Sequence, residues 1–152
     1  MIFKILFLTI IANIMSCRTI PQKNMEPIEL TSVSVYLDFN KKGYTTAGAR
    51  THFNNLEKEK TKKILVTEYD CERLEKIINR AERRKHFQTK FGTTNFFSEM
   101  TFADQNFVHK VVITGVGEYA FITDLTLSHD YFITDQSDLK WLSDFSDYLK
   151  SQ

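Results

Sequence analysis

The stretch FFSEMTFADQNFVHKVVITGVGEYAFITDLTLSHDYFIT, residues 96–134, decides the fold, because apolar and polar side chains alternate along it. Residues 107–113 show the pattern, since Phe, His, Val and Ile alternate there with Val, Lys and Val. A period of two is typical of strands that bury one side. Turn-forming residues interrupt the alternation at 104–106, 115–117 and 128–130. The stretch therefore predicts a β-meander.

Two amphipathic helices are predicted, one before this meander in the chain and one after it. Thr67 or Asp70 can cap the first helix, and Asp135 or Ser137 can cap the second. The apolar residues recur at spacings of three and four, as helices that bury one side require. They are Cys71, Leu74, Ile77, Ile78 and Ala81 in the first helix, and Leu139, Leu142, Phe145 and Leu149 in the second.

The chain before the first helix predicts further strands. Residues 31–39 alternate, residues 40–43 (NKKG) are typical of a tight hairpin, and residues 44–49 would form the return strand. Residues 50–61 are polar and dense in charge, which indicates a loop or a short solvated helix, and a strand is centred on 64–66. The prediction is one α+β domain over residues 31–152. Its mostly antiparallel sheet (hairpin, strand, β-meander) carries both helices on one face, and its other face is more open.

The first seventeen residues indicate the protein's destination. Lys4 precedes an apolar run of about ten residues, which matches the layout of a secretory signal and is too short to span a membrane. Ile14-Met15-Ser16-Cys17 resembles the lipobox of bacterial lipoprotein precursors.

That resemblance implies a signal peptide at residues 1–16, a diacylglycerol on Cys17, and a tether over residues 17–30 that carries both prolines. The resemblance also implies a cell-envelope location. Arg18 is not the aspartate that marks inner-membrane retention, so we expect the outer membrane. The sequence leaves open a plain secretory signal with a chance cysteine, or an amphipathic terminus that is not cleaved.

The charge and the cysteine content argue against a nucleic-acid partner and against an internal disulfide. The chain has 20 basic and 19 acidic residues, so it lacks the broad positive field that nucleic-acid binders use, and no nucleic-acid partner is expected. If Cys17 is acylated, Cys71 is the only cysteine left, and no internal disulfide can form. We expect Cys71 to be buried as a small apolar residue.

Familiar catalytic patterns are missing from the sequence. The four histidines lack zinc-ligand spacing, and the only G-x-G, at 115–117, contains no serine and opens no helix. We therefore expect no enzymatic activity, no metal and no cofactor. A hydrolase built around His109 or His129, with partners from distant strands, is the least favoured alternative.

Two groups of residues are the sequence's candidates for partner contact. Arg80, Arg83, Arg84 and Lys85 form a basic cluster at the predicted end of the first helix, although cations there are also favoured by the helix dipole. Phe96 and Phe97 are adjacent in a predicted strand and must point to opposite faces, so one of them is expected to be exposed.

These observations lead to one expected function and two alternatives. The expected function is that of a lipid-anchored envelope protein, held to the membrane through Cys17, whose domain binds a protein partner without catalysis. Immunity proteins and accessory subunits of envelope complexes share this build, by analogy only. A small-ligand-binding envelope lipoprotein is the first alternative, and the hydrolase is the second.

Overall fold

Antiparallel strands form the centre of the fold. The computed structural model describes residues 26–39, 43–85, 90–115 and 117–152. Within these ranges the elements are β1 (Leu30–Tyr36), β2 (Gly43–Thr45), α1 (Thr46–Lys58), β3 (Lys63–Leu65), α2 (Glu68–Arg80), β4 (Glu82–Lys85), β5 (Lys90–Phe102), β6 (Val108–Thr114), β7 (Ala120–Asp124), β8 (His129–Ile133) and α3 (Gln136–Lys150). The α+β class is confirmed.

The sheet has the strand order β3-β1-β5-β6-β7-β8-β4, and every described pairing is antiparallel. Strands β5 to β8 pair in sequence order, which confirms the predicted meander. Strand β5 starts at Lys90, earlier than the alternation indicates. Gly115 begins the turn after β6 with φ +67°, and a Cβ there would lie 3.3 Å from the Tyr119 carbonyl oxygen. Glycine suits this turn because it has no Cβ.

The first face of the sheet carries the larger core. Helices α2 and α3 pack there through the two predicted apolar stripes, against side chains such as Val35, Phe96 and Ile113. Thr67 caps α2 by accepting a hydrogen bond from Asp70 N–H, and Asp135 caps α3. The placement of these two helices on one face is confirmed. Cys71 is buried in this core, as expected.

The second face is partly covered by a helix that the sequence analysis did not place there. Helix α1 buries Ala49, Phe53 and Leu56 against Tyr36 and other residues of the second face, including Phe97 and Val112. The segment predicted as a loop or a short solvated helix is therefore a packed helix, and helices lie on both faces of the sheet. Spacings of four and three place these three residues on one side of α1.

The predicted hairpin between β1 and a return strand is wrong. Strand β2 pairs with β5, whereas β1 lies between β3 and β5. Thr45 caps α1, so most of the predicted return strand, from Thr46 on, is helical. Residues 40–42, most of the predicted turn, lie outside the described residues.

The basic segment after α2 is a strand rather than the end of a helix. Helix α2 ends at Arg80, and Ala81 adopts an extended conformation with ψ 148°. Residues Glu82–Lys85 then pair with β8 as β4, the last strand of the described sheet. The helix dipole therefore accounts for Arg80 alone among the four predicted basic residues.

The chain just before β1 is held against α2. The Asn79 side chain accepts a hydrogen bond from Ile28 N–H and donates one to Ile28 O, both at 2.7 Å. Glu75 accepts a hydrogen bond from Leu30 N–H at 2.8 Å. Residues 28–30, which the sequence analysis assigned to the tether, are therefore part of the folded domain. Cys17 and the predicted signal peptide lie outside the described residues.

Candidate binding surface

The register of the sheet shows which side chains share its second face. Phe97 lies opposite Val112, Val112 opposite Thr123, Thr123 opposite Asp130, and Asp130 opposite Arg84. Residues directly opposite one another point to the same face of an antiparallel sheet. The apolar cluster under α1 includes Phe97 and Val112 and also Leu125, which directly follows β7. The half of the β7–β8 pair farthest from Leu125 lies beyond that cluster, and we call it the outer half of this face.

Three aromatic side chains lie together on this outer half. Phe121 and Phe132 are paired across β7 and β8, with ring centroids 5.0 Å apart, and both are half-buried. Tyr119, which is 51% exposed, lies 5.7 Å from Phe121 and 5.9 Å from Phe132. The three rings form a continuous aromatic surface.

An arginine extends this surface onto the edge strand. The Arg84 guanidinium lies 4.1 Å from the ring centroid of Phe132, within the range of a cation–π contact. Glu82 accepts hydrogen bonds from Arg84 Nε at 2.8 Å and Nη2 at 2.7 Å. These hydrogen bonds lower the pKa of Glu82 and hold the guanidinium over the ring. We call Tyr119, Phe121, Phe132 and Arg84 the platform.

The platform has the chemistry of a protein-binding surface. Tyrosine, phenylalanine and arginine are enriched at interfaces, and tyrosine and arginine are among the residues that supply most binding energy. Glu82 fixes Arg84, and cross-strand packing orders Phe121 and Phe132, so little side-chain freedom remains to be lost on binding. The platform thus combines partly exposed aromatic rings with a guanidinium that Glu82 already binds.

Both predicted phenylalanines are buried, so the expectation that one of them is exposed is wrong. Phe96 is 0% exposed and packs edge-on against Phe145 of α3. Phe97 is also 0% exposed and packs edge-on against Phe53 of α1 at 5.0 Å. They do point to opposite faces, but a helix covers each face at that position.

The four predicted basic residues do not act as one cluster. Arg80 binds Asp138 of α3 beside Arg73, which lies 3.0 Å from the same carboxylate oxygen. Arg83 donates a hydrogen bond to His129 Nδ1 at 2.9 Å. Arg84 alone joins the platform, and the neighbouring Lys85 is exposed on β4.

The two histidines of the hydrolase alternative are hydrogen-bonded to other side chains of the domain. His109 is 0% exposed, and its Nδ1 and Nε2 lie 2.6 Å from Asp124 Oδ2 and Gln105 Oε1. Neither ring nitrogen is therefore open to a substrate. The Nδ1 of His129 accepts from Arg83, and burial, followed by the charge of Arg83, lowers the His129 pKa. The geometry gives the hydrolase alternative no support.

Within the described ranges, no group of three or more His, Cys, Asp or Glu side chains is arranged to hold a metal ion. None of the described helices is both long and apolar enough to cross a membrane.

Fold and site together define a three-layered α+β domain that exposes an aromatic and cationic surface. Comparisons with protein-family models, curated proteins and solved structures found no match for this chain. The alternation of residues 119–125 gave a partial signal, because it puts Tyr119 and Phe121 on one side of a strand. Nothing in the sequence indicated that Arg84 lies beside these rings, because β4 was not predicted.

Proposed function

We propose that this protein is a lipid-anchored component of the bacterial cell envelope, and that its domain binds a protein partner through the platform without catalysis. The observation that carries the binding role is the stack of Arg84 on Phe132, next to the exposed Tyr119. An immunity-type protein or an accessory subunit of an envelope complex would use such a surface.

The proposed tether is short, and this favours a partner that lies near the membrane. Ile28 is held by Asn79, so the chain between Cys17 and the folded domain spans roughly 11 residues and reaches at most about 40 Å when extended. Acylation of Cys17 with several chains would keep the domain on the bilayer surface. The partner is therefore expected to be another envelope protein within this distance.

Replacing Cys17 with alanine is expected to abolish incorporation of a palmitate analogue and to release the protein from membranes. The physical reason is that stable anchoring of a lipoprotein requires several acyl chains, which Cys17 would carry. The measurement is metabolic labelling followed by fractionation. Cys71→Ala is the matched control, because Cys71 is buried and should leave labelling unchanged. Labelling that persists in Cys17→Ala, or wild-type protein that washes off in plain buffer, would contradict the anchor.

Truncating Tyr119 is expected to weaken capture of the partner. Loss of a central interface residue costs about 2 kcal/mol, which corresponds to roughly a 30-fold loss of affinity. The measurement is affinity capture from detergent-solubilised envelopes with the full-length wild type and with Tyr119→Ala. Tyr148→Ala is the matched control, because Tyr148 lies on α3 and is also 51% exposed. The proposal fails if no specific protein is recovered, or if the two variants capture it equally.

A small-ligand role has one observation in its favour. A cavity of about 610 Å³ opens between residues 26–29 and the β5–β6 turn, and Arg83, Phe102 and Tyr131 line it. Three carboxylates also line it, so its charge suits a ligand that combines a cationic group with an apolar part; they belong to Glu26, Glu29 and Asp104. Isothermal titration with benzylamine is the first test, and an Asp104→Asn variant should weaken any binding at this site.

A further inference from the structure

A groove runs along the outer edge of β1, on the opposite side of the sheet from β4. Strand β3 pairs with β1 over Ser34–Tyr36, and Val66 N–H donates one further hydrogen bond to Val33 O. Among the strands that the structure describes, none pairs with the outer edge of β1 before Val33. The groove there has a volume of about 640 Å³ and is bounded by α2 on its other side.

This edge is open because the chain turns away too early to cover it. Strand β3 ends at Leu65, and Thr67 caps α2 two residues later. At Leu30, side chains of α2 contact this edge in place of a strand. Glu75 accepts a hydrogen bond from Leu30 N–H, and the Cys71 thiol lies 3.9 Å from Leu30 O. Between the contact at Leu30 and the bond from Val66 N–H to Val33 O lie Thr31, Ser32 and the N–H group of Val33. Extended segments of other chains commonly pair with such uncovered edges.

The charge of the groove selects the kind of segment. Four carboxylates line it, and Lys76 is the only basic residue in the described lining; the carboxylates belong to Glu29, Glu68, Glu72 and Glu75. Burial raises the pKa of the Cys71 thiol at the floor, and the charges of three of these glutamates raise it further. The groove therefore carries a negative potential that favours a cationic ligand.

Apolar surface lies beside the carboxylates. Leu65 lines the groove and is 71% exposed, an unusual exposure for a leucine at a strand end. Val66 lies half-buried beside it, whereas the side chains of Val33 and Leu30 are buried in the core beneath the groove. In an added strand, alternate side chains point to opposite faces, so apolar residues would contact Leu65 while basic residues meet the glutamates.

We propose that this groove binds an extended segment of the partner that bears lysine or arginine, as an added strand along residues 31–33 of β1. The segment takes the place that a longer β3 would occupy. Main-chain hydrogen bonds to β1 and ion pairs with Glu68 and Glu72 hold it. This inference rests on the proposed protein-binding function, but it uses a surface separate from the platform.

The test uses two synthetic peptides that differ only in charge. Fluorescein-labelled KVKVKV and EVEVEV are titrated with the full-length protein in a neutral detergent, and anisotropy is measured. The lysine peptide is expected to bind at least tenfold more tightly than the glutamate peptide, and Glu68→Gln/Glu72→Gln should remove most of that difference. Glu59→Gln/Glu118→Gln is the control, because it makes the same charge change at exposed residues outside the groove lining.

The mode of binding is checked by NMR on the labelled protein. The lysine peptide should shift the amide signals of residues 31–33 and slow their hydrogen exchange. Equal affinity of the two peptides, equal loss in both double variants, or shifts confined to other strands would each overturn the proposal. The assay uses neither membrane nor native partner, so its failure leaves the Cys17 and Tyr119 tests standing, and their failure leaves this result standing.

Discussion

Replacing Phe97 with alanine is expected to lower the free energy of unfolding by about 3–5 kcal/mol, the usual cost of removing a fully buried phenylalanine. Phe97 is 0% exposed and contacts the rings of Phe53, Tyr44 and His52. The alanine variant would leave a cavity between α1 and the sheet. Urea unfolding followed through the fluorescence of Trp141, the only tryptophan, measures the loss.

Phe107→Ala is the control for this experiment, because Phe107 lies in the β5–β6 turn and is 45% exposed. Its truncation should cost about 1 kcal/mol or less. A Phe97 variant that loses no more than the Phe107 variant would show that α1 does not pack on the second face. The part of that face that α1 covers would then have to be revised, and the extent of the platform with it.

Replacing Asp124 with alanine is also expected to cost about 3–5 kcal/mol. Oδ2 of Asp124 lies 2.6 Å from His109 Nδ1, and Oδ1 accepts hydrogen bonds from the N–H groups of Thr126 and Leu127. Alanine would leave the buried Nδ1 of His109 and two turn amides without their partner. The same urea titration measures this loss.

Asp144→Ala is the matched control, because the Asp144 carboxylate is 64% exposed and pairs with Lys140 on the helix surface. Exposed helix pairs of this kind contribute about 0.3–0.5 kcal/mol. Near-equal stability of the two variants would mean that the His109–Asp124 pair is not a structural element, and it would reopen the question of a chemical role for His109.

The meander and helices α2 and α3 could be predicted because their periods repeat over many residues. Helix α1 could not, since only Ala49, Phe53 and Leu56 among its thirteen residues are buried, and charged residues surround them in the sequence. Missing α1 led directly to the error about Phe97. A sheet that is covered on both faces needs adjacent apolar residues such as Phe96 and Phe97, and with one helical layer unrecognised, one of them had to be assigned to solvent.

Strand β4 escaped prediction for a different reason. The sequence Glu82-Arg83-Arg84-Lys85 is charged at every position and has no apolar period. This segment is extended where it pairs with β8, more than forty residues later in the chain. Local propensity cannot reveal such a distant pairing. The platform depends on that pairing, because it brings Arg84 next to the ring of Phe132. The sequence therefore indicates Arg84 as a basic candidate and groups Tyr119 with Phe121, but nothing in it places Arg84 beside Phe132.

If Cys17 anchors the protein as proposed, the double hydrogen bond between Asn79 and Ile28 bears on how the domain is released. Proteases need an extended, accessible backbone, and exposed chain termini supply it most readily. Both backbone polar groups of Ile28 are occupied by Asn79, and Leu30 N–H is occupied by Glu75. Proteolytic trimming from the lipid side would therefore stop just ahead of Ile28. The shed fragment would keep every helix and strand that the structure describes, and with them the four residues of the platform.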